Sequence, residues 1–312
     1  MVHPSEGTAT PAALGNSLAI IINPISGTGG RPEIARARAR QAAEFLGTHG
    51  GDPLNVFITE RVGHARDLAQ AAIARGVSTI VAWGGDGTMN EIGTATAFTR
   101  ASVALVPSGS GNGLARELGI PFDPAAALEI AVSGRDRVID AGEIDGRLFF
   151  NVAGIGLDAR VAHRFAVDGL ERGFARYVKI TLRELLRYSP DQLTITTPTS
   201  SRTATALLVA IANGRQYGNG AIVAPRARLD DGLLDVVIIK HRPTLVACLE
   251  LPLVFAGQIE RLGGVTTEAT EVATISCPHP VVYHLDGEPI AGTLSFQARA
   301  RTRALTIKVP AR

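Results

Sequence analysis

A glycine-rich turn carries the strongest fold signal in the chain: Trp83-Gly84-Gly85-Asp86-Gly87-Thr88-Met89-Asn90-Glu91. It follows residues 77–82, an apolar run rich in β-branched residues and short enough for a buried strand. A helix is predicted over residues 89–98. The glycines therefore fall on a strand-to-helix turn, where the lack of a Cβ allows positive φ and lets a ligand approach the backbone closely.

The chemistry of this turn suggests a bound phosphate. The free N–H groups of the turn and of the helix start suit an anion. Asp86 would repel a phosphate unless a cation lies between them, and this points to magnesium. A plain Asp-Gly turn with no ligand is the alternative interpretation.

Two other strands run into loops rich in glycine. Residues 18–22 lead into Asn23-Pro24-Ile25-Ser26-Gly27-Thr28-Gly29-Gly30, and residues 102–106 lead into Pro107-Ser108-Gly109-Ser110-Gly111-Asn112-Gly113. The first loop is neither a P-loop nor a dinucleotide fingerprint, because it lacks Gly-Lys-Ser/Thr and the G-x-G-x-x-G spacing. With a further strand at 54–58 and helices between the strands, the pattern predicts an α/β nucleotide-binding domain with a parallel sheet. All three loops then leave the carboxyl edge, where the ligand crevice of such sheets lies.

The pattern changes near residue 135. Strands at 138–144 and 148–152 are joined by Asp145-Gly146, a two-residue hairpin signal. The rest of this half predicts a largely helical stretch at 162–188 and strands at 192–197, 204–212, 233–239, 273–276, 281–285, 292–298 and 304–309. We therefore expect a flexible tail (1–17), the α/β domain (18–135) and a mainly antiparallel β-sandwich domain (136–312), with the active site in the cleft between the two domains. The sequence leaves open whether the last strand returns to the first domain.

The composition is that of a globular protein with a large core, since 46% of the 312 residues are hydrophobic and 19% are charged. A net charge of +2 gives no bulk attraction to nucleic acid, so no nucleic-acid partner is expected. No run of 18 apolar residues predicts a transmembrane helix, and residues 1–17 lack the features of a secretory signal. A cytoplasmic location is expected.

Two acidic turns and one apolar stretch mark the second half. Leu229-Asp230-Asp231-Gly232-Leu233-Leu234-Asp235 gathers carboxylates that repel one another unless they are solvated or bind a hard cation. His284-Leu285-Asp286-Gly287-Glu288-Pro289 forms either a plain hairpin turn or a general base with an acidic partner. Residues 245–255 are apolar, which favours a buried helix over a membrane-touching surface.

Taken in order, these motifs resemble the diacylglycerol kinase catalytic-domain family, which includes bacterial lipid kinases and sphingosine kinases. The resemblance covers residues 18–309 and rests on Asn23-Pro24-x-Ser26-Gly27, Gly84-Gly85-Asp86-Gly87-Thr88-x-Asn90-Glu91, Pro107-x-Gly109-Ser110-Gly111-Asn112, Asp230-Asp231-Gly232-x-Leu234-Asp235 and Leu285-Asp286-Gly287-Glu288. NAD kinases share the Gly-Gly-Asp-Gly-Thr element, whereas the Leu-Asp-Gly-Glu turn and the Ser-Gly-Asn loop are typical of the lipid kinases.

The resemblance implies roles for individual residues. Asp286, or Glu288 beside it, would take the proton from the substrate hydroxyl. A second-domain magnesium would be held by the Asp231 carboxylate and the carbonyls of Arg228 and Leu233, while Asp140, together with Asp86, would lie near the metal of the nucleotide. ATP would be bound between the domains by Asn23, Pro24, Ser26, Thr59, Gly84, Gly85, Asp86, Gly87, Thr88, Asn90, Glu91, Ser108 and Ser110.

One position departs from the bacterial pattern. Bacterial diacylglycerol kinases usually carry Thr-x-Asn-Asp in the fourth-strand loop, and here Gly113 stands where the aspartate would be. The Gly-Ser-Gly-Asn form is closer to the sphingosine kinases. This departure removes one carboxylate that could face a metal and makes diacylglycerol a less secure prediction for the substrate.

The resemblance implies an ATP- and Mg²⁺-dependent lipid kinase that phosphorylates a hydroxyl of a diacylglycerol- or sphingosine-like lipid. Its lipid partner would be met by peripheral contact with the inner face of the membrane, and a homodimer is also expected from the bacterial relatives. Two alternatives remain: an NAD kinase-like enzyme acting on a small molecule, and a non-catalytic nucleotide- or lipid-binding protein that has kept the fold.

Overall fold

The computed structural model describes residues 17–27, 30–167, 174–218 and 220–311. The predicted tail (1–17) and the middle of the glycine loop after the first strand therefore lie largely outside the described residues. The N-terminal unit consists of β1 (Leu18–Ile22), α1 (Pro32–Thr48), β2 (Val56–Ile58), α2 (His64–Ala74), β3 (Thr79–Gly84), α3 (Asp86–Thr96), β4 (Ser102–Pro107), α4 (Gly113–Glu117) and α5 (Pro124–Ser133).

The N-terminal sheet is parallel and has the order β2-β1-β3-β4. Its central strands β1, β3 and β4 are buried along their whole length, as expected for apolar runs covered by helices on both faces. The chain passes from β1 to β2 on one side and then to β3 on the other. The switch point between β1 and β3 is where an open α/β sheet leaves a crevice at its carboxyl edge.

The C-terminal unit follows without a break. Its elements are β5 (Arg135–Ile144), β6 (Arg147–Phe149), β7 (Val152–Gly156), α6 (Leu157–Val167), α7 (Phe174–Leu185), β8 (Gln192–Thr196), β9 (Ser201–Ala212), β10 (Gln216–Gly218), β11 (Ala221–Ile222), β12 (Leu234–Lys240), α8 (Thr244–Phe255), a 3₁₀ turn (Ile259–Arg261), β13 (Val265–Thr270), β14 (Val272–Leu285) and β15 (Glu288–Val309). The middle of the predicted helical stretch 162–188 falls between α6 and α7, at residues outside those described.

Antiparallel pairing dominates the C-terminal unit. β9 and β14 each pair with both β7 and β8, so these four strands close around one apolar core. Ile155, Ile195, Ile211 and Ile275 are among its buried members. An α/β unit followed by an antiparallel β unit confirms the predicted fold class.

The last strand, β15, connects the two units. It pairs with β14 and β5 in antiparallel fashion and with β4 in parallel, through Thr306↔Ser102 and Ile307↔Val103. The last strand thus returns to the N-terminal sheet. This answers the question that the sequence leaves open. β15 therefore belongs to the cores of both units.

Several strand limits differ from the sequence-based expectation. Residues 273–276 and 281–285 lie in the single strand β14, and residues 292–298 and 304–309 lie in the single strand β15. The pairing register shifts between Ser276 and Val281 and between Arg301 and Leu305. The first interval contains prolines, and Arg303 in the second has a positive φ (52°). Both features interrupt the apolar alternation, so the sequence pattern predicts separate strands where the structure has one continuous strand.

The described side chains of helix α8 differ in burial. Leu253 and Val254 pack against the core next to β12, whereas the Leu249 side chain is 73% exposed. The expected buried helix is therefore correct at Leu253 and Val254 and wrong at Leu249. Within the described residues, no helix is both long and apolar enough to cross a membrane.

Candidate active site

The loops after β1, β3 and β4 meet at the carboxyl edge of the parallel sheet. The Asn23 side chain donates from Nδ2 to the Thr88 hydroxyl (2.9 Å), and the Asn23 N–H donates to the Trp83 carbonyl (2.9 Å). The Ser108 N–H donates to the Gly84 carbonyl (2.8 Å). The structure thus joins the three loops that the sequence predicts to converge.

Two glycines allow the loops after β3 and β4 to touch through their backbones. A Cβ built on Gly85 would lie 3.1 Å from the Gly109 Cα, and one built on Gly109 would lie 2.6 Å from the Gly85 Cα. Any side chain at Gly109 would therefore push the loops apart. The first-turn N–H groups of α3 have no acceptor within the helix backbone, which suits this end of the helix to an anion.

Asp86 begins α3 and holds the start of α4. Its Oδ2 accepts the Asn112 N–H and its Oδ1 accepts the Gly113 N–H, each at 2.8 Å. Burial, and next the negative charge of Asp286, raise the pKa of Asp86 to about 6, while the hydrogen bonds from Asn112 and Gly113 oppose the shift. The surroundings of Asp86 therefore disfavour its ionised form, and a nearby cation would favour that form.

Asp286 lies at the tip of the hairpin between β14 and β15. Asp286 (φ 48°) and Gly287 (φ 88°) both have positive φ, as a two-residue type I′ turn requires. Its Oδ1 accepts the N–H groups of Asn151 (2.9 Å) and Val152 (3.1 Å). Its Oδ2 accepts the Phe150 N–H (2.9 Å) and the Asn90 amide (2.8 Å).

These four donors occupy about all the lone-pair directions that a carboxylate offers. Burial raises the pKa of Asp286, and the hydrogen bonds from Phe150, Asn90, Asn151 and Val152 act against that shift. The Asp286 carboxylate thus fixes the hairpin tip against the segment between β6 and β7.

Asn90 connects the glycine loop to this hairpin. It lies on α3, and its Nδ2 donates both to the Leu148 carbonyl (2.9 Å) and to Asp286 Oδ2 (2.8 Å). The family resemblance assigns Asn90 to the nucleotide. The structure places it between the helix that starts at Asp86 and the turn that carries Asp286, so that the two units share one site.

Glu288 follows Asp286 in the same hairpin and has an exposed side chain. A Cβ built on Gly87 would lie 2.7 Å from Glu288 Oε1, so this carboxylate sits directly over the first turn of α3. Its negative charge is favourable at a helix N-terminus. The structure therefore brings Asp86, Asp286 and Glu288 together around the start of one helix.

A buried cluster behind the hairpin is absent from the sequence-based predictions. His284 Nε2 lies 2.8 Å from Asp158 Oδ2 and 2.7 Å from the Tyr217 hydroxyl, while His284 Nδ1 accepts the Gly287 N–H (3.2 Å). A neutral ring whose Nδ1 accepts carries its proton on Nε2 and donates it to Asp158. No spacing in the sequence relates Asp158 and Tyr217 to the hairpin, because only folding brings them there.

The other residues predicted to bind the nucleotide differ in their burial and in their contacts. The Ser108 hydroxyl is buried and has no hydrogen-bond partner among the described residues, and the Ser110 side chain is exposed at the loop tip. Pro24 and Ser26 are partly buried in the loop after β1, and the Ser26 carbonyl accepts from Arg38, a residue that the sequence analysis does not single out. Thr59 is buried at the end of β2.

The Glu91 side chain accepts hydrogen bonds from the start of the neighbouring helix α2. Its Oε1 accepts the Gly63 N–H (2.8 Å) and its Oε2 accepts the Ala65 N–H (3.0 Å), so both oxygens cap the N-terminus of α2. This contact ties α2 to α3.

Gly113 occupies a site with little room. A Cβ built there would lie 2.3 Å from Asn151 Nδ2, which donates to the Gln216 carbonyl (2.6 Å). The aspartate found at this position in bacterial diacylglycerol kinases would therefore require Asn151 to move.

The predicted metal residues of the second unit form a separate group. Asp231 is exposed, and its Oδ1 accepts the Leu233 N–H (3.1 Å), while Arg228 is also exposed. Asp140 accepts the N–H groups of Gly232 and Arg303, both at 2.7 Å. Asp140 is thus placed with the Asp231 turn rather than with Asp86, and among the described residues no group of three or more His, Cys, Asp or Glu side chains could hold a metal ion.

Two family models match the chain in succession. Residues 17–144 match the model described as the diacylglycerol kinase catalytic domain. Residues 151–309 match the model described as the YegS C-terminal NAD kinase beta sandwich-like domain. The two matches meet close to the start of β7.

Curated relatives match over most of their length. The chain is 34% identical to a Pseudomonas aeruginosa protein named "Probable lipid kinase YegS-like", with 87% of this chain and 89% of the relative covered. It is 31% identical to a Klebsiella pneumoniae protein of the same name, with 87% and 91% covered.

Solved structures show the same fold. A diacylglycerol kinase from Bacillus anthracis superposes with a TM-score of 0.69 at 20% identity, covering 94% of this chain and 97% of that one. An NAD kinase from Archaeoglobus fulgidus in complex with ATP superposes with a TM-score of 0.51 at 11% identity, covering 93% of each chain.

Proposed function

The chain belongs to the YegS-like lipid kinase family, and from this premise we propose that it transfers the γ-phosphate of ATP to a hydroxyl group of a diacylglycerol- or sphingosine-like lipid. The observation that carries the proposal is the hydrogen bond from Asn90 to Asp286 (2.8 Å). It couples the helix that begins in the glycine loop to the hairpin that holds the candidate base.

We assign the triphosphate of ATP to the crevice between the loops after β3 and β4. The first-turn N–H groups of α3 are suited to phosphate oxygens. The buried Ser108 hydroxyl, which lacks a partner among the described residues, offers one more donor. The close contact of Gly85 and Gly109 leaves no side chain between the backbone and the ligand.

The two carboxylates of the hairpin would have different tasks. Asp286 already accepts four hydrogen bonds, so a proton could reach it only by displacing one of them. Glu288 is exposed, and its carboxylate lies over the first turn of α3. We therefore propose that Glu288 takes the proton of the attacking hydroxyl, and that Asp286 positions the hairpin.

We propose that a magnesium ion enters together with the nucleotide, held mainly by the phosphate oxygens on the acidic side of this crevice. Asp86, Asp286 and Glu288 place negative charge around the start of α3. Burial, and next the charge of Asp286, raise the pKa of Asp86 to about 6, and a hard cation nearby would favour its ionised form. When bound, the ion supplies positive charge to the β- and γ-phosphate oxygens. A second ion at Asp231, with the carbonyls of Arg228 and Leu233, stays a prediction that rests on a single carboxylate.

An NAD kinase-like activity is a weaker proposal. The ATP-bound Archaeoglobus fulgidus enzyme supports the common fold alone, at 11% identity. NAD kinases lack the Leu285-Asp286-Gly287-Glu288 turn on which the proposed chemistry depends. A non-catalytic binding protein is disfavoured by Asp86, Asp286 and Glu288 all being present.

The remaining expectations concern partners. We propose peripheral contact with the membrane, because a lipid with two long chains reaches the enzyme from a bilayer. A homodimer and the absence of a nucleic-acid partner stay predictions from the sequence.

The deciding experiment measures transfer of labelled γ-phosphate from ATP, with Mg²⁺, to lipids in mixed micelles. The panel contains diacylglycerol, monoacylglycerol, sphingosine, ceramide and phosphatidylglycerol, with NAD as a soluble control. A labelled lipid supports the proposal and identifies the acceptor. Label in NAD alone would contradict it, and ATP binding without transfer to any acceptor would favour the binding-protein alternative.

A further inference from the structure

The outer face of α7 is not used by the phosphoryl-transfer site. The helix continues as a turn, since the Leu186 N–H donates to the Leu182 carbonyl (3.1 Å) and the Arg187 N–H to the Glu184 carbonyl (3.0 Å). The Leu182 side chain is 46% exposed and that of Leu186 is 68% exposed. Four residues apart, the two leucines are neighbours on the same helical surface.

Cationic side chains flank these leucines. Lys179, Arg183 and Arg187 are exposed at positions three residues before and one residue after the leucines. We define the α7 face as Lys179, Leu182, Arg183, Leu186 and Arg187. A helix with exposed leucines among lysine and arginine is typical of segments that lie in the interface of an anionic membrane.

Among the described side chains of residues 157–188, the exposed charges are all positive. In the neighbouring helix α6, Arg160 and Arg164 are also exposed. Within the described part of residues 157–188, the acidic side chains are Asp158 and Glu184, which are only 9% and 11% exposed. Asp158 contacts His284, and Glu184 pairs with Arg164 (3.2 Å), so neither offsets the positive charge of the face.

The α7 face is separated by one helix from the strands that carry the Asp286 hairpin. Helix α6 packs against α7 on one side and against β7, β14 and β15 on the other. Asp158, in the first turn of α6, contacts His284, which precedes Asp286 by two residues. The helical pair is therefore the outer layer over the strands that carry the catalytic hairpin.

We propose that the α7 face docks on the surface of an anionic phospholipid bilayer, with Leu182 and Leu186 entering the interface and Lys179, Arg183 and Arg187 contacting lipid head groups. The docking serves lipid phosphorylation and in that respect rests on the proposed function. Leucine burial supplies the hydrophobic contribution, and the cations supply a contribution that salt screens.

The test is cosedimentation of the full chain, without ATP, with vesicles of phosphatidylcholine alone or mixed with phosphatidylglycerol. The test variants are Leu182→Ser/Leu186→Ser and Arg183→Glu/Arg187→Glu. The matched controls are Leu54→Ser/Val62→Ser, at side chains 82% and 91% exposed, and Arg36→Glu/Arg40→Glu on the exposed side of α1.

We expect the wild-type protein to prefer the anionic vesicles and to bind them less tightly at high salt. Each test variant should bind them at least about tenfold more weakly, and each control should bind as the wild type does. The proposal is overturned if the test variants bind like the wild type, if the wild type binds neither vesicle, or if it binds both equally. Light scattering that shows loss of a dimer in the leucine variant would assign the face to a second copy of the chain instead.

The kinase assay separates this proposal from the proposed function. On a short-chain, water-soluble lipid substrate the α7 variants should keep wild-type turnover, because the α7 face contains none of the residues assigned to the chemistry. Vesicle binding that depends on α7, without phosphorylation of any lipid, would sink the kinase proposal and leave the docking proposal standing. If the protein phosphorylates a lipid but the α7 variants bind vesicles as the wild type does, the docking proposal is wrong and the kinase proposal stands.

Discussion

Two neighbouring carboxylates in one hairpin have different surroundings, and this difference decides their roles. Asp286 is held by four donors, whereas Glu288 is exposed over the start of α3. A carboxylate that holds a turn in place and a carboxylate that accepts a proton need opposite environments. The carboxylate that holds the turn needs every lone pair engaged, and the carboxylate that accepts the proton needs one lone pair free.

The two roles predict different outcomes for isosteric amides. Glu288→Gln should lower kcat by about 100-fold or more and leave the melting temperature nearly unchanged, because only the proton acceptor is lost. Asp286→Asn should lower activity and also destabilise the protein by about 2–4 kcal/mol, because its NH₂ group would face N–H donors. Turnover and thermal unfolding measured on both variants check this. Normal turnover in Glu288→Gln would refute the assignment of the base.

The titration of Asp86 makes activity depend on pH. Its pKa of about 6 in the folded state lies above the ordinary value of 3.8. Because the proposed phosphate and cation chemistry needs the ionised form, kcat/KM should rise as pH increases through about 6, and Asp86→Asn should be inactive throughout. A pH–rate profile that is flat between pH 5 and 7 would contradict this.

The same titration affects stability with the opposite sign. Between about pH 4 and pH 6 the folded state binds more protons at Asp86 than the unfolded state does, so the contribution of Asp86 to stability falls as pH rises. Relative to Asp86→Asn, the wild-type protein should therefore lose stability across this window and then level off. Urea unfolding of both proteins at several pH values, without nucleotide, measures the difference.

Gly113 gives a third prediction at the scale of single residues. Gly113→Ala should destabilise the protein by about 1–3 kcal/mol, because the new Cβ would lie 2.3 Å from Asn151 Nδ2. In an Asn151→Ala background the penalty should shrink. A double-mutant cycle by chemical denaturation measures the coupling. Equal penalties in both backgrounds would show that Asn151 is not the obstacle.

At the scale of elements, α3 organises the site from both of its sides. Its first turn faces the crevice, Asn90 reaches the Asp286 hairpin, and Glu91 caps α2. The orientation of α3 therefore controls the phosphate loop and the base together. The resemblance alone assigns Asn90 and Glu91 to the nucleotide, and their protein contacts give them a second task.

The capping contact of Glu91 predicts a loss of stability. Glu91→Ala should destabilise the protein by about 1–2 kcal/mol, because the N–H groups of Gly63 and Ala65 lose their acceptors, and Glu91→Gln should cost less because one acceptor remains. The KM for ATP should change less than twofold in either variant. A large rise in KM with unchanged stability would instead support direct contact with the nucleotide.

At the scale of the whole molecule, β15 makes the two units one cooperative body. It pairs with β14, β5 and β4, and its buried residue Ile307 packs in the N-terminal core. A destabilising substitution in this strand should therefore affect both units. The shared strand joins the two units through hydrogen-bonded pairing on both sides.

This sharing predicts a coupled transition. Ile307→Ala should destabilise the protein by about 2–5 kcal/mol. The fluorescence of Trp83, the single tryptophan and buried in the N-terminal unit, should shift its midpoint together with the far-UV circular dichroism of the β-rich unit. Thermal scans followed by both probes test this. If the two probes separated, the units would unfold independently.

The sequence by itself determined the elements that depend on local chemistry. The buried strands before the glycine loops and the Asp145-Gly146 and Asp286-Gly287 hairpins follow from apolar runs, turn residues and φ preferences. The meeting of the three loops at the carboxyl edge also followed, because parallel strands bring their loop ends together.

Tertiary structure alone decided the contacts between residues far apart in the chain. The donors on Asp286, the Asp158–His284–Tyr217 cluster, the cap that Glu91 supplies to α2 and the return of β15 to β4 join segments up to about 200 residues apart. No local pattern encodes such pairings, because they arise only when two cores pack and each buried polar group must find a partner. The placement of Asp140 with the Asp231 turn has the same origin.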